Sequence, residues 1–446
     1  MTLPASLKDR DICVLGLGYV GLTLAIALAD RGFRVHGTEV RDEVLQGLAE
    51  GRPHFWEPRL AEKLTRVKSL GRFSFSKDIR DSGDASVYFI TVGTPLDENG
   101  NAKLSSVEQA TRQVAEHLRD DGLVILRSTV KLGTARNVVR PILEGTGKRF
   151  ELAVCPERTL EGRALVELYD LPQIIGSDIP ETRFRCSQLF AMLTPTTVTV
   201  SSLEAAELVK LVDNTYRDVS FAFANEVARL CSHAGISARE VIRAGRLGYP
   251  RTNVALPGPV GGPCLEKDPH ILVESARQWN VEMPITSAAR EVNESQPLES
   301  AGLIRGIYRR MAGANASPRI HIAGLAFKGA PPTDDLRGTM AKPIYEALRE
   351  MFPDSRFAGF DPVVKPAAIE TFFGFPALAS LEALFTEAEI VVIANNHPAF
   401  QTLDIAAWAA RMPRPALIYD FWNMHDDTEA SLAEGARYVP LGSEGL

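Results

Sequence analysis

Cysteine is scarce in this sequence, and basic charge is not in excess. The 446 residues carry 49 lysines and arginines against 56 aspartates and glutamates, a formal net charge of −7. Proteins that bind nucleic acid usually present a basic stripe, so this balance argues against such a partner. The cysteines show no paired spacing suited to zinc, and their odd number does not suit a disulfide framework, so we expect no metal and a reducing, cytoplasmic setting. They are Cys13, Cys155, Cys186, Cys231 and Cys264.

Long apolar runs are also missing, apart from one near the N-terminus. Residues 12–29 are almost wholly apolar, and Ala27-Leu28-Ala29 imitates a signal-peptidase site. However, the basic residues within 8–11 are cancelled by acidic neighbours, and glycines interrupt the run, so a buried strand followed by a buried helix is the better interpretation. No other segment is long enough to span a bilayer, and we expect no membrane partner.

What the N-terminal run contains is a strand, a glycine pattern and a helix. Residues 11–15 predict a buried strand, residues 16–21 read Gly-Leu-Gly-Tyr-Val-Gly, and a helix is expected over about 22–30. The first glycine makes the turn, the second lets a pyrophosphate approach the backbone, and the third lets helix pack on strand. The helix end also offers unpaired N–H groups to phosphates. The predicted dinucleotide contacts are Gly16, Gly18, Tyr19, Val20 and Gly21.

The residue that ends the second strand favours NAD over NADP. Residues 34–38 predict that strand, and Glu39 follows it. An acidic side chain there accepts hydrogen bonds from the ribose hydroxyls and repels a 2′-phosphate. Arg41 lies two residues further on and leaves NADP as the alternative, because an arginine accommodates that phosphate.

Three further predicted strands, at residues 86–90, 123–126 and 152–155, are each followed by polar residues. In open parallel sheets, ligands bind beyond the carboxyl ends of the strands. The polar residues placed there for chemistry are Thr94, Thr129, Glu157 and Glu161. Capping of helices is the alternative, since threonine and glutamate commonly serve that purpose.

A long helix is predicted between two globular halves. Ser201-Ser202-Leu203-Glu204 predicts a capping box, and apolar residues recur until Gly235. About thirty residues span roughly 45 Å. Lys210 and Asn214 lie four residues apart, hence on one helix face, where a charge and an amide donor can stabilise an oxyanion. A solvated helix face is the alternative.

Residues 256–269 combine three glycines and four prolines around Cys264, with Lys267 and Asp268 just after it. Glycine lets backbone N–H groups approach a ligand, and proline stiffens the surroundings. A nearby ammonium favours the thiolate form of a cysteine. The alternative is an inert buried cysteine, but such a residue more often lies in an apolar periodic run.

A second α/β series follows a predicted linker at residues 313–318. Strands are expected near 319–323, 357–360, 389–394 and 416–419, with a helix at about 340–351. Lys328 and Arg337 flank its first loop and suit a phosphate, although exposed cations usually only solubilise. We therefore expect an α/β protein with two Rossmann-like domains joined by a long central helix. The expected domains are a dinucleotide-binding domain at 1–200, a central helical domain with Cys264 at 201–312, and a second nucleotide-type domain at 313–446.

Taken in order, these segments resemble the UDP-glucose/GDP-mannose dehydrogenase family across nearly the whole chain. The matching motifs are Gly16-x-Gly18-x-x-Gly21, Thr94-Pro95, Ser128-Thr129, Pro156-Glu157 with Glu161-Gly162, Lys210 with Asn214, Gly261-Gly262-x-Cys264, Lys267-Asp268, and Gly324-Leu325-Ala326-Phe327-Lys328 with Asp334-Asp335-x-Arg337. The resemblance implies that two NAD oxidise the C6 hydroxyl of a UDP-sugar to a carboxylate. It also implies a thiohemiacetal and then a thioester on Cys264.

The resemblance further implies a role for each matching residue. The catalytic set is Cys264 as nucleophile, Lys210 and Asn214 for the oxyanion, Asp268 and Thr129 for a water that transfers protons, and Glu161 as a base in hydrolysis. The NAD contacts gain Thr94, Thr129 and Lys267. The substrate contacts are Glu157, Arg158, Leu160, Lys210, Asn214, Arg251, Asn253, Gly261, Gly262, Phe327, Lys328 and Arg337. Arg251 resembles an arginine that reaches the substrate of a partner subunit, which implies a homodimer through the long helix.

The choice of sugar is divided between two branches of the family. Residues 156–158, 214–219 and 250–254 resemble the branch that acts on UDP-N-acetylhexosamines. By contrast, residues 264–268 look more like the UDP-glucose branch, and Pro263 stands where the first branch commonly has histidine. We favour UDP-N-acetylmannosamine or UDP-N-acetylglucosamine as substrate, with UDP-glucose as the alternative.

Two other classes of function share part of these features. A two-electron dehydrogenase of the 3-hydroxyacid type has the glycine turn and a lysine–asparagine helix pair but no need for Cys264, and it forms one NADH per substrate. A non-catalytic sensor of NAD and sugar nucleotide binds both ligands and forms none. The complete set of Cys264, Lys210, Asn214 and Asp268 speaks against the sensor.

Overall fold

The computed structural model describes residues 3–4, 7–425 and 432–443, and the chain divides into two compact units. Unit 1 comprises Met1–Asp213 and His270–Glu282, and unit 2 comprises Asn214–Pro269 and Met283–Leu446. The expected three domains stay a prediction. Among the described residues, no helix combines the length and the apolar character that crossing a membrane demands.

Unit 1 is a sheet covered by helices on both faces. Its strands are β1 (Asp11–Leu15), β2 (Arg34–Thr38), β3 (Phe73–Ser76), β4 (Val87–Ile90), β5 (Gly122–Leu126), β6 (Phe150–Val154), β7 (Gln173–Gly176) and β8 (Thr197–Val200). Its helices are α1 (Tyr19–Arg31), α2 (Asp42–Ala49), α3 (Leu60–Ser69), α4 (Ser105–His117), α5 (Arg140–Glu144), α6 (Ala164–Asp170) and α7 (Pro180–Phe190), with a 3-10 turn at Ile79–Ser82 and a π-helical turn at Ala135–Val139.

Within the described residues the strand order of unit 1 is β3-β2-β1-β4-β5-β6-β7-β8, and all pairs are parallel except β6 with β7. Parallel strands covered on both faces read as continuous apolar runs, as β1 does. One core layer packs α1 residues such as Leu24 and Leu28 on this sheet. The opposite layer includes Val107 and Val114 of α4. This arrangement confirms the predicted α/β fold with a Rossmann-like first half.

Two local predictions in unit 1 need correction. Helix α1 begins at Tyr19, three residues before the predicted start, because the glycine turn itself opens the helix with Gly18 as its N-cap. The predicted capping box at 201–204 does not form as expected. Ser202, through its Oγ, accepts the N–H of Ala205 at 3.1 Å, while Glu204 pairs with Arg136.

Unit 2 holds the second sheet and the long helices. Helix α8 (Leu203–Ala234) has 32 residues, which confirms the predicted long helix, and the division between the units falls within it. The next helices are α9 (Ala238–Arg246), α10 (Gly262–Leu265), α11 (Asp268–Arg277, mostly in unit 1) and α12 (Pro284–Arg310). The remaining elements are β9 (Arg319–Ala323), α13 (Ala341–Met351), β10 (Arg356–Phe360), α14 (Pro366–Phe373), α15 (Leu381–Thr386), β11 (Ile390–Ile393), α16 (Pro398–Gln401), α17 (Ile405–Arg411), β12 (Ala416–Asp420) and β13 (Ala436–Pro440).

The sheet of unit 2 confirms the predicted second α/β series. Over the described ranges its strand order is β10-β9-β11-β12-β13, and every pair is parallel. Strand β13 was not predicted, because residues 436–440 (Ala-Arg-Tyr-Val-Pro) have only a short apolar stretch and end in proline. A strand at the sheet edge tolerates that proline.

Candidate functional site

The glycine turn of unit 1 has the shape that a dinucleotide requires. Gly16 follows β1 with a φ of +88°, and a Cβ on Gly21 would lie 1.9 Å from the Gly16 carbonyl oxygen, so strand and helix approach too closely for any side chain. A Cβ on Gly18 would meet no atom within 4 Å among the described residues. The N-terminus of α1 follows directly, beginning with the partly buried Tyr19 and Val20. The open space at Gly18 and the helix N–H groups fit a pyrophosphate.

Glu39 is held as a carboxylate at the end of β2. It accepts the N–H of Leu17 at 3.1 Å and that of Val40 at 2.9 Å, and the Arg41 guanidinium lies 2.9 Å away. Burial opposes its charge, but the Arg41 guanidinium and the N–H groups of Arg41 and Val40 outweigh that effect and lower the pKa of Glu39 below its usual value. An ionised acceptor at this position fits the ribose hydroxyls of NAD.

The loops after β4 and β5 are tied together. Thr94 donates its hydroxyl hydrogen bond to the Thr129 carbonyl oxygen at 2.5 Å, and Ser128 donates to the Val92 carbonyl oxygen at 2.6 Å. Thr94 is buried, whereas Thr129 is partly exposed. These two predicted residues therefore lie side by side beyond the carboxyl ends of their strands.

Glu157, which follows β6, lies in a charged cluster inside unit 1. Its carboxylate pairs with Arg127 and accepts the N–H groups of Arg158 and Thr159 at 2.7 and 2.8 Å. Burial opposes ionisation, yet Arg127, the Thr159 N–H and the buried Lys210 together lower the pKa of Glu157. Lys210 therefore lies close enough to Glu157 to favour its ionised form. Sequence patterns did not reveal Arg127, although it directly precedes the recognised Ser128-Thr129 pair.

The loop that contains Glu161 is held by the predicted dinucleotide contact Tyr19 and by Glu57, which the sequence did not single out. Gly162 N–H donates to Glu57 at 2.7 Å and to the Tyr19 hydroxyl at 2.9 Å, and Tyr19 itself donates to Glu57. Burial and the Glu57 carboxylate raise the pKa of Tyr19, so it stays a neutral donor. Glu161 lies in this loop, partly exposed.

Two further substrate candidates in this loop, Arg158 and Leu160, also have defined positions. The Arg158 guanidinium donates to the Pro172 carbonyl oxygen at 2.7 Å and lies 3.5 Å from the carboxylate of Asp213. Leu160 donates its N–H to Glu167 at 2.7 Å. These contacts fix the loop backbone around both residues.

A buried carboxylate one turn before Lys210 anchors the loop that follows Thr129. Glu207 on α8 accepts the N–H groups of Gly133 and Ala135 at 2.6 and 2.7 Å. Burial raises the pKa of Glu207 to about 7, although the two N–H groups act in the opposite sense. No sequence pattern pointed to Glu207, since a glutamate one turn from a lysine is common on helix surfaces.

In unit 2, three predicted residues form one hydrogen-bonded chain. Asn214 of α8 donates its amide to Asp268 at 2.6 Å, and Lys267 donates its ammonium to the other carboxylate oxygen at 2.6 Å. Asp268 is fully buried and Asn214 nearly so. Asn214 and Asp268 are 54 residues apart in the chain, and their contact follows from the packing of α8 against the start of α11.

Cys264 sits on the short helix α10 in a crowded turn. It is partly exposed, whereas the other four cysteines are buried. Gly262 has a φ of +88°, donates its N–H to the Gly338 carbonyl oxygen at 2.7 Å, and leaves no room for a Cβ, which would lie 2.4 Å from the Phe327 ring. A Cβ on Gly261 would lie 2.5 Å from the same carbonyl oxygen. Both predicted glycines are therefore required by close approach of backbone and ring.

The remaining predicted contacts lie on loops of unit 2. The Lys328 ammonium is 5.2 Å from the centre of the Phe327 ring, and the exposed Arg337 pairs with Asp335 at 2.5 Å. The Arg251 guanidinium stacks on Tyr249 at 4.6 Å. Arg251 is exposed, and Asn253 is also solvent-accessible.

Comparison with known proteins connects these features to one family. Its NAD-binding domain model matches residues 10–194, its central domain model residues 204–295, and its UDP-binding domain model residues 321–427. The chain is 34% identical to the UDP-N-acetyl-D-mannosamine dehydrogenase of Pyrococcus horikoshii, over 88% of this chain and 91% of that protein. It is 32% identical to the NDP-N-acetyl-D-galactosaminuronic acid dehydrogenase of Ralstonia nicotianae, over 89% and 92%.

Solved structures agree with this assignment. The UDP-D-ManNAc dehydrogenase of Pyrococcus horikoshii superposes with a TM-score of 0.87 at 32% identity, covering 98% of this chain and 100% of that one. A UDP-glucose dehydrogenase of Pyrobaculum islandicum gives the same TM-score at 28% identity, covering 99% and 100%. The chain therefore belongs to the UDP-glucose/GDP-mannose dehydrogenase family, in which it is an NAD-dependent nucleotide-sugar dehydrogenase.

Proposed function

We propose that this enzyme oxidises the C6 hydroxyl of a UDP-N-acetylhexosamine, either UDP-N-acetylmannosamine or UDP-N-acetylglucosamine, to the uronic acid through a covalent adduct on Cys264. Cys264 is partly exposed, whereas the other four cysteines are buried. This difference carries the covalent part of the proposal. The relatives from P. horikoshii and R. nicotianae, which are named for N-acetylated sugars, support the substrate class. Bound NAD supplies the hydride acceptor for each of the two oxidations.

Addition of the thiol converts the aldehyde into a tetrahedral adduct, from which a second hydride can pass to NAD, and it keeps the half-oxidised sugar bound to the enzyme. Cys264 adds through its sulfur to the C6 aldehyde, and the carbonyl oxygen takes up a proton to give a thiohemiacetal. Loss of a hydride from C6 and of the hydroxyl proton then leaves a thioester. Water attacks the thioester carbon, the C–S bond breaks, and the acid and the thiol are released.

The polar residues are assigned to the charges that develop in these steps. Lys210 and Asn214 lie one turn apart on α8 and stabilise the oxyanion of each tetrahedral state. Asp268 accepts from Asn214 at 2.6 Å and so orients its amide. Thr129 and Asp268 serve the water that transfers protons, and Glu161 acts as a base in hydrolysis. Lys328 and Arg337 hold the sugar nucleotide.

A panel of UDP-sugars tests the substrate and the reaction together. We expect UDP-N-acetylmannosamine or UDP-N-acetylglucosamine to give the highest kcat/KM, with two NADH formed per sugar consumed and a uronate as product. One NADH per sugar for every substrate points to the two-electron dehydrogenase, and ligand binding with no NADH points to the sensor. A maximum with UDP-glucose favours the alternative, which the likeness of residues 264–268 to the glucose branch and the fold of the P. islandicum enzyme support.

We also propose that two copies associate through α8. Tyr216, Phe223 and Leu230 follow each other at intervals of seven residues, which places them along one side of the helix, and they are 67, 54 and 70% exposed. Apolar stripes of this kind mark interfaces. Burying one such side chain contributes about 1.5–3 kcal/mol. A two-fold dimer loses this contribution in both copies, about 3–6 kcal/mol in all, so Leu230→Glu is expected to weaken self-association at least about 100-fold.

Sedimentation velocity across micromolar concentrations measures this effect. Phe184→Glu is the matched control, because Phe184 is a 65% exposed side chain on α7, away from the stripe in sequence. We expect the control to remain a dimer. A Leu230→Glu variant that associates as tightly as the control contradicts the assignment of this face.

A further inference from the structure

We propose that four buried polar residues, Asp218, Asn225, Arg290 and Asn293, position Cys264 for its attack on the aldehyde. They are called the polar quartet here. The inference rests on the proposed function, because it takes Cys264 as the nucleophile. All four residues lie within unit 2, as do residues 258–265, which are called the cysteine segment here.

The quartet joins two long helices inside the protein. Asp218 and Asn225 lie on α8, Arg290 and Asn293 lie on α12, and each is at most 5% exposed. The Asn293 amide donates to Asp218 at 3.0 Å, and the Asn225 amide donates to Asn293 at 3.0 Å. The Arg290 guanidinium pairs with Asp218 at 2.6 Å. The four side chains therefore form a continuous hydrogen-bonded chain.

At one end of the polar quartet, Asn225 binds the backbone at the start of the cysteine segment. Asn225 accepts the N–H of Gly258 at 3.0 Å and donates to the carbonyl oxygen of the same residue at 3.2 Å. A side-chain amide that pairs with both backbone groups of one residue fixes its orientation as well as its distance. The Trp422 ring closes the other side, since a Cβ on Gly258 would lie 3.2 Å from it.

At the other end of the polar quartet, Arg290 binds the backbone directly after the nucleophile. Arg290 donates to the carbonyl oxygen of Leu265 at 3.2 Å with the nitrogen that also contacts Asp218. Leu265 is the last residue of α10 and follows Cys264 in the chain. A cation at the carboxyl end of a helix stabilises its last carbonyl groups. Both ends of the segment 258–265 are thus held by the same buried chain.

Stability alone is a poor explanation for this arrangement. Buried ion pairs often contribute little net stability, because desolvation offsets their attraction, and apolar residues of similar volume can replace them. The same two helices are also joined by Arg229, which donates to the Val292 carbonyl oxygen at 3.1 Å and pairs with Glu299 at 2.7 Å. Within the part of the chain that the structure describes, the hydrogen bonds and ion pair of Arg229 go to α12 and not to residues 258–265, so Arg229 serves as the matched control.

The two oxidations respond differently to a displaced thiol. Oxidation of the alcohol to the aldehyde does not use sulfur, whereas conversion of the aldehyde to the acid does. Loosening the quartet is therefore expected to lower acid formation by about 10- to 100-fold, the effect of moving a reacting group by up to about 1 Å. Aldehyde should then leave the enzyme, and the NADH yield should fall from two per sugar toward one.

The test compares Asn225→Ala and Arg290→Lys with Arg229→Ala. Lysine keeps the charge beside Asp218 but lacks the planar fork of arginine. Acid formation, NADH yield and trapped aldehyde are measured, together with the rate at which iodoacetamide alkylates the native protein. That rate reports Cys264, because the other cysteines are buried. We expect low acid yield and faster alkylation in both quartet variants and neither effect in the control.

Folded quartet variants that match Arg229→Ala in NADH yield and alkylation rate overturn the proposal. Should Asn225→Ala not fold, Asn225→Asp replaces it, since it keeps the acceptor for Gly258 N–H and loses both donated bonds. Cys264→Ala separates the two hypotheses. If that variant still makes acid, the nucleophile role fails as well. If it makes none while the quartet variants behave like the control, only the positioning role fails.

Discussion

Cys264→Ser is expected to bind NAD and the sugar nucleotide but to form uronate on the order of 10³-fold more slowly or worse. A serine hydroxyl is a far weaker nucleophile than a thiolate at neutral pH, and removal of a covalent nucleophile costs more than loss of one oxyanion donor. Any ester that does form should hydrolyse slowly and be visible as an adduct in the intact mass. NADH yield per sugar and uronate formation measure the loss.

Cys231→Ala is the control for this substitution. Cys231 lies on α8 in the same unit but is only 3% exposed, so its removal should leave uronate formation unchanged. Normal uronate production by Cys264→Ser contradicts the covalent route, whatever the fate of the control. Retained binding of both ligands, measured by calorimetry, shows that a loss is chemical and not a failure to fold.

Lys210→Ala is expected to lower kcat by about 10²–10³-fold with a much smaller change in KM. Oxyanion donors act on charge that develops in the transition state, so their removal affects turnover more than ground-state binding. The structure places this lysine beside a buried carboxylate. It is buried near Glu157, whose own carboxylate is fixed by Arg127. Steady-state kinetics with the preferred UDP-sugar measure both constants.

Arg112→Ala provides the matching loss of one positive charge, because Arg112 is an exposed residue on α4. Its kinetics should equal those of the unchanged enzyme. If Lys210→Ala instead raises KM and leaves kcat unchanged, Lys210 is a substrate anchor and takes no part in stabilising the oxyanion.

Local patterns predicted the first nucleotide turn almost completely. The strand Asp11–Leu15, the three glycines and Glu39 occupy the expected places because each depends on neighbours in the chain: apolar residues for a buried strand, and glycine for close packing of strand and helix. The start of α1 was placed three residues late. Glycine disfavours helices by propensity, but close packing against the strand overrides that preference here.

Contacts between distant segments escaped prediction. Glu57 accepts the N–H of Gly162 across 105 residues of chain, and Arg290 meets Asp218 across 72. Glutamate and arginine in helices or loops are usually solvated, and nothing in their local sequence distinguishes those that become buried. Their partners are set by which elements pack together.

The order of motifs along the chain was enough to determine the family, the use of NAD and the identity of the candidate nucleophile, because backbone geometry and chemical reactivity depend on residue type and close neighbours. Three properties were decided only by the tertiary structure: the solvent access of Cys264, the ion pair of Glu157 with Arg127, and the contact of Asn214 with Asp268. These properties depend on desolvation and on hydrogen bonds between segments far apart in sequence, and such energies arise once the elements have packed.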